Sequence, residues 1–488
     1  MPSAFGSILS IARTAIAAHQ AAMETISHNI ANAETPGYSR QRAELTARRP
    51  QRIPFAGNVG TGVDVSNIVR VRNAHLDGVY RREAGDAAAY STRSALMHEL
   101  EQVLNEPSDT GLAATLDEFW NAWSDLSNTP NDPTAQSVVR QRGQQVAQLF
   151  NTYASRLAET SNRARGQFGG VVQDVNRIAG QIAQINGAIT AAEADGRQAG
   201  DLRDERDRLA DQLAQLAGAR ADMQSNGTIA VYIGGIAVVS GSATQTIEVR
   251  GGVTPTLGIV GDPDPLYGAS GSLGALMAYV NVDVPSVMTR LDALARGVVN
   301  GVNELHTSGW TAAGDALGVA NWNSAMGPTG SRIEFFDPAM TTAANIRLSS
   351  AVSADARVVA AGDVQNAPGN NAVAMALAAL RDANGMNALA TRMGAAFAAQ
   401  IGFAPGEAYA DHYRSTVSIV GLEASEAARQ ETIFTTLSEQ ADTRRMSVSG
   451  VSIDEELTDL MRTQQAYVAA TKLVNTVDDM AQAILDMV

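Results

Sequence analysis

Apolar residues recur every seven positions at the two ends of the chain. Near the start, Leu9, Ile16, Met23 and Ile30 form one row, and Phe5, Ala12, His19, Ile26 and Ala33 form another. Alternate spacings of three and four make a narrow seam of the kind that closes coiled coils. Half of this seam is small, so the helix it predicts buries little by itself and needs a closely approaching partner. The stretch Thr35, Pro36, Gly37, Tyr38 is expected to end it, because Pro36 biases Thr35 away from helix and Gly37 permits a tight turn. At the far end Ile453, Leu460, Tyr467, Val474, Ala481 and Val488 are seven apart, strengthened by Leu457 and Leu485. The intervening Gln464, Thr471 and Asp478 are polar and weaken this second helix as an isolated unit. Its length of about 50 Å and an apolar row running to the last residue predict a cover.

Between the ends the period changes several times. Residues 38–47 and "VDVSNIVRV" alternate as strands do, predicting a hairpin-like element. A helix is predicted over Ala74–Asn105, ahead of Pro107, and another over "LAATLDEFWNAWSDLS". In the latter, Leu112, Leu116, Phe119, Trp123 and Leu126 recur at helical spacing, which makes Trp120 and Trp123 core residues before they are ligand stackers. A very long helix follows Pro133 to about Ala194, with Val175, Ile178, Ile182, Ile185 and Ile189 as its seam. The return helix "DLRDERDRLADQLAQL" carries Leu202, Leu209 and Leu216, so the two read as an antiparallel pair. After Asn226-Gly227, turn glycines and β-branched runs predict a small β region. "SRIEFF" and "ANIRLSS" are candidate strands within a mixed stretch 311–371, and helices resume on either side.

The expected fold is therefore mainly α with inserted β: a discontinuous, multi-domain chain with terminal coiled-coil helices and an elongated helical-bundle body. Residues 1–37 with 450–488 form the terminal unit. Residues 38–224, 285–310 and 372–449 form the body, including a basic hairpin at 38–72. A β-rich outer domain occupies 225–284.

With 488 residues, 45% apolar content and few aromatics, the chain suits long, closely packed helices. A net charge of −15 argues against general nucleic-acid binding. The charge is uneven. Between Gly37 and Arg82 stand nine arginines (Arg40, Arg42, Arg48, Arg49, Arg52, Arg70, Arg72, Arg81, Arg82) against Glu44, Asp64 and Asp77. Either this segment docks on an acidic surface of a neighbouring subunit, or both faces are solvated.

No cysteine is present, which removes disulfides, thiolate metal sites and cysteine nucleophiles. No stretch approaches eighteen apolar residues, so no membrane insertion is expected. The apolar start lacks a preceding positive charge and is broken by Arg13, so a cleaved leader is not expected. Motifs for phosphate loops, dinucleotide binding, serine hydrolysis and zinc hydrolysis are absent, and the six histidines are scattered. Neither a catalytic site nor a cofactor is implied. The acidic run in "DLRDERDRLAD" reads as an exposed helix face rather than a hydrolytic carboxylate pair. Asn29 and Asn32 carry two readings: they close the last turn, or their amides bond to a packed helix and fix its register.

The stretch "SHNIANAETPGYSRQ" together with "SGVSIDEELTDLMRTQQAYVAATKLVNTVDDMAQAIL" resembles the bacterial flagellar rod, hook and hook-associated proteins. "PGYSRQ", "GLAATLDEFWNAWSDLSNTPNDPTAQSVVRQ" and "GSLGALMAY" are similar to the hook-associated branch rather than to the hook protein. The resemblance implies a structural, self-assembling subunit at the junction between hook and filament. A hook or distal rod subunit is the alternative, and a secreted enzyme with a site in 225–371 is the alternative of another class. The resemblance also implies passage unfolded through the flagellar type III export apparatus, hence a transient cytoplasmic stage before an extracellular one. A cytoplasmic export chaperone is expected on the C-terminal helix, and the terminal helices are expected to order on assembly. Implied partners are further copies in a ring or helical layer, the hook protein, and a second junction protein on the filament side. The implied assembly residues are Leu9, Ile16, Met23, Ile26, Asn29, Ile30 and Asn32 on the first helix. On the last they are Ile453, Leu457, Leu460, Gln464, Tyr467, Val474, Ala481 and Leu485.

Overall fold

The structure is a computed structural model that describes residues 2–53, 57–104, 108–310, 333–364, 367 and 369–486. Helix α1 spans Pro2–Ala31, and a ribbon follows: β1 (Gln41–Ala47), β2 (Gln51–Ile53), β3 (Gly57–Val59) and β4 (Val63–Arg70). β1 pairs antiparallel with β4, and β2 with β3, as two separate two-stranded sheets. The ribbon lies along α1, with Val63 N–H directed at Thr14 Oγ1 at 3.4 Å. Gly62 makes this approach possible: its φ is +107°, and a Cβ there would run into Thr14 Oγ1.

Four helices come next: α2 (Ala74–Leu104), α3 (Leu112–Asn128), α4 (Pro133–Ala192) and α5 (Gly200–Ala217). Asp132 caps α4 by accepting from Thr134 N–H, and Pro133 occupies its first turn, where the missing N–H costs nothing. At 60 residues α4 is about 90 Å long and serves as the spine. Leu116, Phe119, Trp120, Trp123 and Leu126 of α3 are buried, as their spacing predicts. On α5 the buried row is Leu209, Ala210, Leu213, Ala214 and Ala217, and Leu216 lies only at its margin.

A four-stranded antiparallel sheet follows in the order β5 (Arg220–Met223), β6 (Ile229–Ile233), β7 (Ile236–Ser240), β8 (Ala243–Thr244). A three-stranded sheet of β9 (Ile247–Arg250), β10 (Thr256–Ile259) and β11 (Pro265–Leu266) adjoins it. Side chains of α4 fasten this region: Asn186 bonds to both N–H and C=O of Ile229, and Asn176 does the same at Ile247. Short helix α6 (Gly271–Ala278) passes through a π-turn into α7 (Val284–His306), ahead of Pro285, whose missing N–H leaves one helical bond unmade.

Residues 311–332 of the expected mixed stretch lie outside the described residues. Ser331 and Arg332 of "SRIEFF" fall among these; its described residues 333–336, and "ANIRLSS", do not form strands as expected. One isolated bridge joins Phe336 to Leu348, and Ser350 already opens α8 (Ser350–Ala354). The reason is a competing partner. Asn303 of α7 accepts from the N–H groups of Phe335 and Phe336 and donates to the Phe336 carbonyl, taking the bonds a sheet neighbour needs. α9 (Ala372–Ala379), α10 (Ala383–Met393) and α11 (Ala396–Ile401) close this end.

Helix α12 (Tyr409–Ser449) then returns along α2. Small buried residues such as Ala84, Ala424 and Ala427 suit close approach, and Tyr90 stacks on Phe434 at 4.7 Å between ring centroids. Helix α13 (Ile453–Leu485) folds back on α1.

Candidate assembly site at the foot of the terminal helices

α1 and α13 pack side by side, and Asn29 in the last turn of α1 meets Glu456 in the first turn of α13, so the pair is antiparallel. The buried faces are mostly small: Ala12, Ala18, Thr25 and Asn29 on one, Glu456, Ala470 and Val477 on the other. Ile16, Met23, Ile26 and Ile30 are half-buried, as are Leu460, Tyr467, Val474 and Ala481. The second inner row of α13 is therefore Glu456, Thr463, Ala470 and Val477, while Gln464 points to solvent. Leu9 is 44% exposed, Ile453 46% and Leu457 45%. The side chains of Phe5 and Leu485 lie outside the described residues.

The foot of the pair is polar. Asn29 is 1% exposed and fully bonded. Its amide donates to the Gln41 carbonyl at 2.8 Å and to Glu456 Oε2 at 2.9 Å. Its oxygen accepts from Tyr38 Oη–H and from Gln41 N–H, both at 2.9 Å. Burial, then Asp201, Asp204 and Glu456, hold the Tyr38 hydroxyl protonated far above its ordinary range, so it remains a donor. Asn29 thus ties helix end, strand start and tail helix together. Asn32 takes the other reading: it donates to the His28 carbonyl at 3.0 Å and accepts from Thr35, closing its own turn. The chain then turns at Gly37, φ +84°, with Thr35 and Pro36 exposed.

Asn29→Ala leaves the Tyr38 hydroxyl and the Gln41 backbone without their Asn29 partner, and Glu456 with Arg40 alone, a loss of about 2 kcal/mol. Amide exchange along α1 is expected to accelerate about 30-fold, whereas Asn32→Ala changes it less than about threefold. Equal effects for the two would refute the register role of Asn29.

Sequence reasoning missed the ionic part of the foot. Arg40 Nε lies 2.6 Å from Glu456 Oε1, and its other nitrogens reach Glu455 and Asp459 at 3.3 Å. Ser39 donates through both N–H and Oγ–H to Asp204 on α5, at 3.0 and 2.7 Å. Arg70 is clamped by Asp204 and Asp207, each at 2.7 Å. Arg72 pairs with Asp77 at 2.9 Å, and Arg81 and Arg445 share Asp211 at 2.7 and 2.6 Å. Arg445 also lies 3.8 Å over the Tyr80 ring.

The acidic run on α5 is accordingly not the exposed face expected: Asp204, Arg206 and Asp207 are buried, and Arg206 is 0% exposed. Burial pushes the Asp207 carboxyl up. The Arg72, Arg70, Arg206 and Arg81 guanidiniums outweigh that and hold it well below the ordinary carboxylate range. Much of the basic segment is thus neutralised within the chain, by acids of α2, α5 and α13. Among the described residues no group of His, Cys, Asp and Glu is arranged to hold a metal ion, and no helix is long and apolar enough to cross a membrane.

Three family models match the sequence. Residues 97–320 match the flagellar hook-associated protein FlgK helical domain. Residues 9–38 match the flagella basal body rod protein, and 443–487 the flagellar basal body rod FlgEFG protein C-terminal. Flagellar hook-associated protein 1 of Bacillus subtilis (strain 168) is 29% identical, the alignment covering 98% of this chain and 97% of that one. Its counterpart from Salmonella typhimurium is 26% identical over 99% and 100% of the two chains. Among solved structures, the flagellar hook junction protein FlgK from Burkholderia pseudomallei superposes with a TM-score of 0.60 at 15% identity, over 77% of this chain and 100% of that one, a likeness of fold. Terminal motifs, helical body and relatives matched from end to end agree: along its whole length the chain is similar to flagellar hook-associated protein 1.

Proposed function

We propose that this chain is a structural, self-assembling subunit of the junction between flagellar hook and filament. The observation that carries the reading is the uncovered apolar surface of the terminal pair: Ile8 and Leu9 on α1, and Leu457, Met461, Val468 and Leu473 on α13. The α1–α13 contact buries mainly Ala, Thr and Val, which is little stabilisation for two helices of this length. Neighbouring copies cover the remainder, and Leu9, Ile453 and Leu457 face them. Repeated heterologous contacts of this kind generate a ring or one layer of a tube.

The hook protein lies on one side of such a layer and a second junction protein on the other. Before assembly, an export chaperone covers the α13 stripe in the cytoplasm, and the flagellar type III apparatus threads the unfolded chain outward. A terminal pair with so small a seam unfolds readily for that passage.

The test is genetic. Cells deleted for the gene are expected to keep hooks and release unassembled filament protein, and the wild-type chain restores retention. Leu457→Glu with Met461→Glu, both exposed in the single chain, is expected to leave helix content unchanged and lose about 90% of that retention, because two charges enter an apolar contact. Filaments that grow and stay attached without the gene would refute the reading.

A further inference from the structure

We infer that the outer hairpin of the ribbon is a docking arm for a second copy of this chain, with Arg49 and Arg52 seated against Asp478 and Asp479 of the neighbour. The inference rests on the self-assembly reading above. It starts from the arginines left over once the foot is built. Arg40, Arg70, Arg72 and Arg81 are neutralised at the foot, while Arg42, Arg48 and Arg82 pair with Glu44, Asp64 and Glu83 on the surface. Arg49 and Arg52 are exposed, and neither has an ion pair to a carboxylate among the described residues.

These two flank and enter β2, which among the described residues pairs with β3 alone. A two-stranded hairpin without further cover is marginal in water, so this arm lacks a surface to lie on. Its position follows from the register of the ribbon. Gly62 sits against Ile11 and Thr14, and Arg48 N–H donates to the Gly62 carbonyl at 2.9 Å. The hairpin beyond Arg48 therefore projects toward the N-terminal end of α1.

α13 runs the opposite way from Glu456 beside Asn29, which brings its last turns to that same end. Asp478 and Asp479 are exposed there and, like the arm, have no ion pair among the described residues. One subunit thus carries a positive arm and a negative tail at the same end, unjoined to each other. Copies related by a rotation about a common axis bring the arm of one to the tail of the next, at one height around the ring. Exposed ion pairs hold weakly and are screened by salt, so the apolar stripes supply the adhesion and the charges fix partner orientation and register.

The test uses the full chain in cells deleted for the gene, with filament protein released into the medium as readout. Arg49→Glu with Arg52→Glu, and separately Asp478→Lys with Asp479→Lys, are each expected to raise release about fivefold over wild type. All four positions are exposed, so melting of the purified chains should be unchanged. Co-expressing the two variants is expected to return release to within about twofold of wild type, because alternating copies put an acidic arm on a basic tail and a basic arm on an acidic tail. A chain carrying all four reversals should do the same. Singles that release no more than wild type overturn the docking arm. So does a co-expressed mixture that releases as much as the singles, even if the fourfold variant recovers, since that pattern means pairing within one chain. A deletion strain that holds its filaments refutes the junction reading itself, whatever the reversals do.

Discussion

Asp207→Asn is expected to destabilise the body by about 3–5 kcal/mol, the cost of breaking a buried ion pair from one side. The substitution keeps the shape and removes the charge. Arg70, Arg72 and Arg206 then remain inside with Asp204 and Asp77 as the nearby carboxylates, and Arg206 keeps only its bond to the Gly227 carbonyl at 2.8 Å. Three buried guanidiniums facing two carboxylates, Asp204 and the Asp77 that pairs with Arg72, is the unfavourable state. Urea unfolding followed by far-ultraviolet circular dichroism should show a lower midpoint with unchanged slope, while Asp201→Asn, exposed on the same helix, should match wild type. The pH dependence has a definite sign. Because the folded carboxyl is held below its ordinary value, its contribution is fully present above that value and disappears as pH falls toward the folded one. Wild type and variant should therefore differ most near neutrality and converge in acid. A constant gap down to pH 2 would mean that the loss comes from shape rather than charge.

The helical body was legible in the sequence because its burial is one-sided. On α3 the 3.6-residue period puts Leu116, Phe119, Trp123 and Leu126 on one stripe, and that stripe is what packs. The terminal helices were legible as helices but less so in detail. The rows through Ile16, Met23, Leu460 and Tyr467 border the contact, yet its centre is Ala18, Thr25, Ala470 and Val477. Small residues mark a close approach, and a search for large apolar side chains passes over them. The inward turn of Glu456 had a visible signal only in hindsight: three acids opening "IDEEL" face an arginine-rich segment far away in sequence.

The foot was the least legible part. "DLRDERDRLAD" has the composition of a solvated face, and from one helix alone that is the better reading. What reverses it is a segment about 130 residues earlier whose arginines need neutralising, so the relevant pattern is charge matching between distant stretches. The positive balance of 37–82 was apparent, whereas its recipient was not. This also explains why the foot is polar. A terminal unit attached by directional bonds has one orientation on the body, which an alanine-rich contact does not specify. Asn29 carries this furthest, since all of its amide capacity is used across three segments.

Lowering the pH from 6.5 to 4 is expected to cost the chain about 3 kcal/mol through His306 alone, at 1.36 kcal/mol per unit of difference between folded and unfolded pKa. The imidazole is 0% exposed at the end of α7. Its Nε2 accepts from Ala360 N–H at 3.0 Å, so the proton is on Nδ1, which donates to the Ile333 carbonyl at 3.0 Å. Trp123 and Phe335 present their rings at 6.3 and 5.6 Å. Burial, opposed only by the Ile333 carbonyl, lowers its pKa from 6.5 to about 4. Between those values the unfolded chain binds the proton and the folded chain does not, so stability rises with pH across the window and is fully present above 6.5. His306→Gln retains a donor and an acceptor without a titratable group. It should cost about 1 kcal/mol at pH 7.5 and remove this contribution, leaving a shallower slope between pH 4 and 6.5. Parallel stability profiles for wild type and variant across that window would show that His306 does not carry the acid sensitivity.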